Sequence, residues 1–106
     1  MPAAGKLVQL HFEAHAELQD SVFFYRQRGG EPLAKRFKKE VEIAVHAISA
    51  DPLRYPPSRD VPQAKRIRLV GFPFSIIYID RPDSVWVVAV AHGNRRPGYW
   101  LARLEE

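Results

Sequence analysis

Seven consecutive apolar residues, Val85-Trp86-Val87-Val88-Ala89-Val90-Ala91, constrain this chain's fold more than any other feature. The run is far short of the roughly 20 apolar residues that a membrane-spanning helix needs. It sits between the Arg81-Pro82-Asp83 and Pro97-Gly98 turn signals, which mark it as a strand. A strand that is apolar on both faces belongs in the middle of a sheet. Two further strand-like runs precede it. Lys65 to Val70 alternates, with Ile67 and Leu69 facing inward and Arg66 and Arg68 outward. Gly71-Phe72-Pro73 then turns the chain into Phe74 to Asp80. Spacers this short allow only antiparallel hairpins.

The first half has a different period. Lys6 to Phe12 alternates, which predicts a short strand with Val8, Leu10 and Phe12 on its apolar face. From Ala14 the spacing becomes helical, with Ala14, Leu18, Val22 and Tyr25 leading to a stop at Gly29-Gly30. Pro32 suits the first turn of a second helix. Along that helix Leu33, Phe37, Val41, Ala44 and Ile48 form a stripe, and Asp51-Pro52 ends it. Two helices joined by a tight glycine turn pack as an antiparallel hairpin. Asp51 to Gln63 is a stiff, proline-rich connection, and Tyr99 to Leu104 is expected to form a last helical turn. The predicted order is β-α-α-β-β-β. It describes an α+β domain spanning residues 1–106, with a helical hairpin on one face of a mostly antiparallel four-stranded sheet.

With 106 residues there is room for one core. The absence of cysteine excludes disulfides and thiolate metal sites and suits a reducing compartment. The opening Met1-Pro2-Ala3-Ala4-Gly5-Lys6 has no signal-peptide apolar core, so the chain is expected to stay in the cytoplasm, away from the membrane. His11, His15, His46 and His92 fall in no ligand spacing, and neither a phosphate-binding glycine loop nor a nucleophile elbow is present. No metal, cofactor or small-molecule substrate is therefore expected. The net charge of +4 favours anionic partners.

The candidate functional residues follow from that charge. Lys65, Arg66, Arg68, Arg95, Arg96 and Arg103 are expected on or beside the sheet face away from the helices. There they would meet a phosphate backbone or an acidic protein segment, or simply keep the sheet solvated. His92 ends the central strand beside Arg95. It has two readings, a general acid or base and a strand-capping histidine bonded to backbone. The basic face of the second helix, Lys35 to Lys39, reads as a solvated surface. Phe23, Phe24 and Tyr25 cover too wide an arc of helix to face one sheet. Trp100 lies in a segment too short to bury it fully. Both features suit either an apolar docking surface or a broad core face.

Taken in order, these pieces resemble the RelE/ParE toxin superfamily of type II toxin–antitoxin systems, in its ParE-like branch. The residues that carry the resemblance are Glu17-Leu18 with Phe24-Tyr25, Phe37-x-x-Glu40-Val41, and Asp51-Pro52 with Tyr55-Pro56. They continue through Arg66-x-x-Leu69, Phe72-Pro73-Phe74 with Ile77-Tyr78, and Ala91-His92-Gly93-Asn94-Arg95-Arg96-Pro97-x-Tyr99-Trp100.

The resemblance implies a bacterial cytoplasmic toxin, of the kind associated with plasmid stabilization, that is neutralised by a cognate antitoxin. In the ParE-like branch it acts by binding DNA gyrase and has no catalytic residues. Lys65, Arg66, Arg68, Arg95, Arg96, Tyr99, Trp100 and Arg103 are then expected to bind target or partner. The alternative is a RelE-type endoribonuclease acting on ribosome-bound mRNA, with Arg66, Arg68, His92, Arg95 and Tyr99 as its catalytic set. A third reading is a non-toxic binding module with the same fold. Ser75 falls where the cleaving branch places a phosphate-binding arginine, and a neutral serine cannot replace a bidentate guanidinium. Together with a tail that looks shorter, this favours the binding branch.

Overall fold

The computed structural model describes residues 5–58 and 61–105. Residues 1–4, on which the expectation of cytoplasmic residence partly rests, lie outside the described residues, as do Arg59 and Asp60 in the proline-rich connection. Four strands form one sheet: β1 (Leu7–Leu10), β2 (Lys65–Arg68), β3 (Phe74–Asp80) and β4 (Ser84–His92). Their spatial order is β1-β4-β3-β2, so the strand carrying the uninterrupted apolar run is central. β3 pairs antiparallel with both β2 and β4, as the short turns require. β1 returns alongside β4 in parallel, Leu7 opposite Ser84 and Leu10 opposite Val87, which makes the sheet mixed.

The expected strand Lys6 to Phe12 is shorter than its alternation suggests. His11 leaves the sheet and caps a helix, its Nδ1 accepting a hydrogen bond from the Glu13 N–H at 3.0 Å. First-turn N–H groups have no helical acceptor, and this demand outcompetes the alternation. Phe12 consequently opens the helix with 70% of its surface exposed instead of closing the strand's apolar face.

The helical run Phe12–Ala50 is broken at Gly30, whose φ of 73° and ψ of −170° no residue with a side chain adopts readily. The two arms, α1 (residues 12–29) and α2 (residues 31–50), form the predicted hairpin, with Pro32 in the first turn of the second. Tyr25 of α1 and Phe37 of α2 stack with ring centroids 5.0 Å apart, and both meet Phe72 and Phe74 beside the β2–β3 turn. This aromatic cluster pins the hairpin tip to the sheet. Phe37, Val41, Ala44 and Ile48 continue the core against Ile76, Tyr78, Val85, Val87 and Val90. Full burial of each large apolar side chain contributes roughly 1.5–3 kcal/mol.

The sheet's other face departs from expectation. A second apolar cluster joins Ile77, Val88 and Ala89 to Val61, Ala64 and Trp100, covering much of a face predicted to be open. Trp100, expected to remain partly exposed, is only 3% accessible. The short 3₁₀ helix Leu101–Glu105 holds the tail against the sheet. A β-bulge accompanies this layer: Ile77 lies opposite Ala89 and Tyr78 opposite Val87, leaving Val88 as the extra residue. Both faces of β4 are therefore buried, which is what its composition demands.

Candidate functional site

Two polar assemblies flank the C-terminal end of β4. The first is built around Glu17. Glu13 and Glu17 lie one turn apart on α1 and so project from the same side of the helix. β1 ends at Leu10, where the His11 N–H donates to the Val87 carbonyl, and β4 beyond Val87 has no β1 partner. Side chains satisfy that part of β4 instead. The Val90 N–H donates to Glu17 Oε1 at 3.0 Å, and Arg103 Nη1 donates to the Val88 carbonyl at 2.9 Å.

Arg103 also grips Glu17 bidentately, Nη1 to Oε1 at 2.9 Å and Nη2 to Oε2 at 3.0 Å, while its Nε lies 2.8 Å from Glu13 Oε2. The Tyr99 hydroxyl donates to Glu17 Oε2 at 2.6 Å. One carboxylate thus ties α1, the bulged strand and the C-terminal tail together. Burial pushes the Glu17 carboxyl up. The hydrogen bonds from Arg103, Tyr99 and Val90, with the Arg103 charge, outweigh burial and hold it below its ordinary value. For Tyr99, burial and then the Glu17 carboxylate both push the hydroxyl well above its ordinary range. Burial opposes the charge on Arg103, but Glu17 more than restores it.

The second assembly is a groove of about 500 Å³ on the sheet face away from the helices. Arg66 of β2, Ser75 and Ile77 of β3, and Ala91 and His92 of β4 line it, and the segment from Gly93 to Trp100 forms its far wall. Arg68 projects from the same side of β2 as Arg66, and its backbone partner is Ser75, which lines the groove. No Asp or Glu among the described residues lines the groove. Among the described residues Arg66, Arg68 and Arg96 make no ion pair. Arg95 stacks on Tyr99, its guanidinium carbon 3.8 Å from the ring centre, and stands 3.8 Å from Glu17 with 52% of its side chain exposed.

The structure therefore divides the sequence-predicted set. Arg66, His92, Arg95, Arg96, Tyr99 and Trp100 line one groove, with Arg68 beside it. Lys65 faces away, its Nζ donating to the Tyr55 carbonyl at 3.2 Å. Arg103, expected at the surface with the other cations, is only 8% exposed and lies inside the Glu17 assembly. The physical reason is the early end of β1 together with the bulge, which leaves the Val88 carbonyl and the Val90 N–H in need of a donor and an acceptor. His92 fits the strand-capping reading, its Nδ1 accepting from the Asn94 N–H at 2.9 Å and its ring edge-on to Phe74 at 5.0 Å, while the residue also borders the groove. Sequence reasoning missed the role of Glu17. The available signal was a carboxylate beside the inward-facing Ala14 and Leu18 of the helical stripe, with Glu13 one turn before it.

Among the described residues no three of His, Asp and Glu approach closely enough to hold a metal. No described helix is long and apolar enough to cross a membrane.

Comparisons with known proteins bear on the fold and the family. No match is found among curated protein sequences. Several solved chains do match, one being from the chromosomal ParDE TA system of P. aeruginosa, with a TM-score of 0.72 at 15% identity. That match covers 82% of this chain and 95% of the other, and it establishes a shared fold. The family model for the ParE toxin of the type II toxin–antitoxin system parDE matches residues 8–97, from β1 through the wall of the groove. The chain belongs to the ParE toxin family of type II toxin–antitoxin systems.

Proposed function

We propose that this chain is a toxin that acts in the bacterial cytoplasm by binding DNA gyrase without catalysis, and that a cognate antitoxin neutralises it. The observation that carries the non-catalytic reading is the Tyr99 hydroxyl. It is committed to Glu17 at 2.6 Å and raised well above its ordinary range, so it is poorly placed to exchange a proton with a substrate. Ser75, a neutral residue on the groove wall, adds no phosphate-binding charge. What remains in the groove is a set of arginines suited to holding an anion.

The ribosome-dependent endoribonuclease remains the second reading. One observation favours it: Arg66, His92, Arg95 and Tyr99 line the same groove. Expression of the chain separates the two. Plasmid supercoiling is followed beside the decay of a translated mRNA. Lost supercoiling with intact message supports the gyrase reading, whereas rapid message cleavage with normal supercoiling overturns it.

A further inference from the structure

We infer that the arginine groove is a binding site for the phosphodiester backbone of nucleic acid, so that the toxin grips the DNA held by its target as well as the target protein. The inference rests on the gyrase reading for its context, but its chemistry stands on the groove alone. Elsewhere in the described structure many basic side chains have local partners, and those that lack one, Lys35, Lys38 and Lys39, stand exposed on α2. Lys6 pairs with Asp80, Arg26 with Glu31, and Arg103 with Glu13 and Glu17. Arg28, Arg36, Arg54 and Arg81 lie over aromatic rings. The groove gathers Arg66, Arg95 and Arg96 with the hydroxyl of Ser75, has Arg68 beside it, and is lined by no carboxylate among the described residues. Planar guanidinium forks and hydroxyls on a concave surface are donors for phosphate oxygens.

Two further features favour a phosphate backbone over an acidic protein segment. A peptide adding itself to the sheet needs a bare strand edge beside the arginines. The outer edge of β2 is already occupied, since the Arg66 N–H donates to the Pro56 carbonyl at 3.1 Å and Pro57 bridges to Lys65. A docking helix needs apolar pockets for its anchors. The apolar residues beneath this groove, Ile77 and Trp100, are only 4% and 3% exposed and already packed in the second core cluster. The Tyr99 ring is covered on one side by Arg95, which limits base stacking as well. The ligand that fits is one held through side-chain donors to its backbone, with little dependence on base sequence.

Fluorescence anisotropy on the full chain tests this, with a labelled 20-base-pair DNA duplex, a single-stranded RNA and a polyglutamate peptide as probes over rising salt. The triple variant Arg66→Gln, Arg68→Gln, Arg96→Gln is compared with Lys35→Gln, Lys38→Gln, Lys39→Gln, which removes the same charge from α2. The expected result is salt-dependent duplex binding, weakened about tenfold or more in the arginine variant, with the slope of log affinity against log salt reduced by roughly 3. The lysine variant should change little. Tighter binding of RNA than of duplex overturns the DNA assignment and favours the endoribonuclease reading of the groove.

Equal loss in both variants means bulk charge alone, and tighter polyglutamate binding means an acidic protein partner. Either result overturns the proposal, as does an arginine variant that binds like wild type. Supercoiling inhibition by the same proteins separates the two hypotheses. A wild type that binds duplex through the groove without inhibiting gyrase removes the gyrase reading and leaves the groove. A wild type that inhibits gyrase, matched by an equally inhibitory arginine variant, removes the groove's role at the target and leaves the gyrase reading.

Discussion

Arg103 sits 8% exposed between Glu13, Glu17 and the Val88 carbonyl, whereas Arg66, Arg68 and Arg96 face or border a groove with no carboxylate on its walls among the described residues. In the amino-acid sequence these four look alike, as basic residues scattered over the strands and tail. Their fates differ because of backbone geometry. The bulge at Val88 and the early end of β1 leave polar backbone groups that must be satisfied, and Arg103 with Glu17 satisfies them. Among the described residues Arg66, Arg68 and Arg96 take part in no ion pair. One set of charges therefore holds the tail in place, and the other is available to a ligand.

The largest effect expected from breaking this division comes at Arg103. Arg103→Met keeps apolar bulk but strands the Glu17 carboxylate, and it should cost about 3–5 kcal/mol in urea unfolding. A loss below about 1 kcal/mol would place Arg103 with the surface cations after all. Glu17→Gln should cost less, roughly 1–3 kcal/mol, because Arg103 keeps Glu13 and the Val88 carbonyl.

The Glu17 variant also carries a pH signature. The Glu17 carboxyl lies below its ordinary value of 4.5 when folded, so its contribution is fully present above about pH 4.5 and is lost as pH falls through the lower folded value. The stability gap between wild type and Glu17→Gln should therefore narrow as acid is added, and a gap that widens in acid contradicts the assignment. Tyr99→Phe removes one charge-assisted hydrogen bond while retaining the ring under Arg95. It should cost about 1.5–2 kcal/mol and leave groove binding largely intact. Arg96→Gln is the smallest, within about 0.5 kcal/mol of wild type in stability.

Much of this architecture is legible in the sequence. The helical stripe from Leu33 to Ile48, the Gly30 break and the two short hairpins each follow from spacing and turn chemistry, and the apolar run of β4 announces its central place. The same run held more than was read from it. A strand apolar on both faces implies a layer on each side, and Trp100, Val61 and Ala64 supply the second layer. What could not be read were consequences of register. The bulge between Ile77 and Tyr78 depends on strand pairing, so Val88's free carbonyl and Arg103's burial were hidden with it. Phe12 shows a local version, where a capping histidine overrides an alternation that continued two residues too far. Within the site, strand geometry placed Arg66 and Arg68 on one face and Arg95 and Arg96 at the end of the central strand. Their meeting with His92 around one groove depends on how the chain folds after β4, and Glu17 was visible only as part of a family pattern.

The central claim is that the unpaired arginines serve a ligand and the paired one serves the fold. Urea unfolding and gyrase supercoiling, measured together on the Arg66→Gln, Arg68→Gln, Arg96→Gln variant, test it most directly. The account predicts an unfolding midpoint close to wild type with supercoiling inhibition lost. Inhibition that persists at wild-type strength, or a loss of stability comparable to that of Arg103→Met, would contradict it.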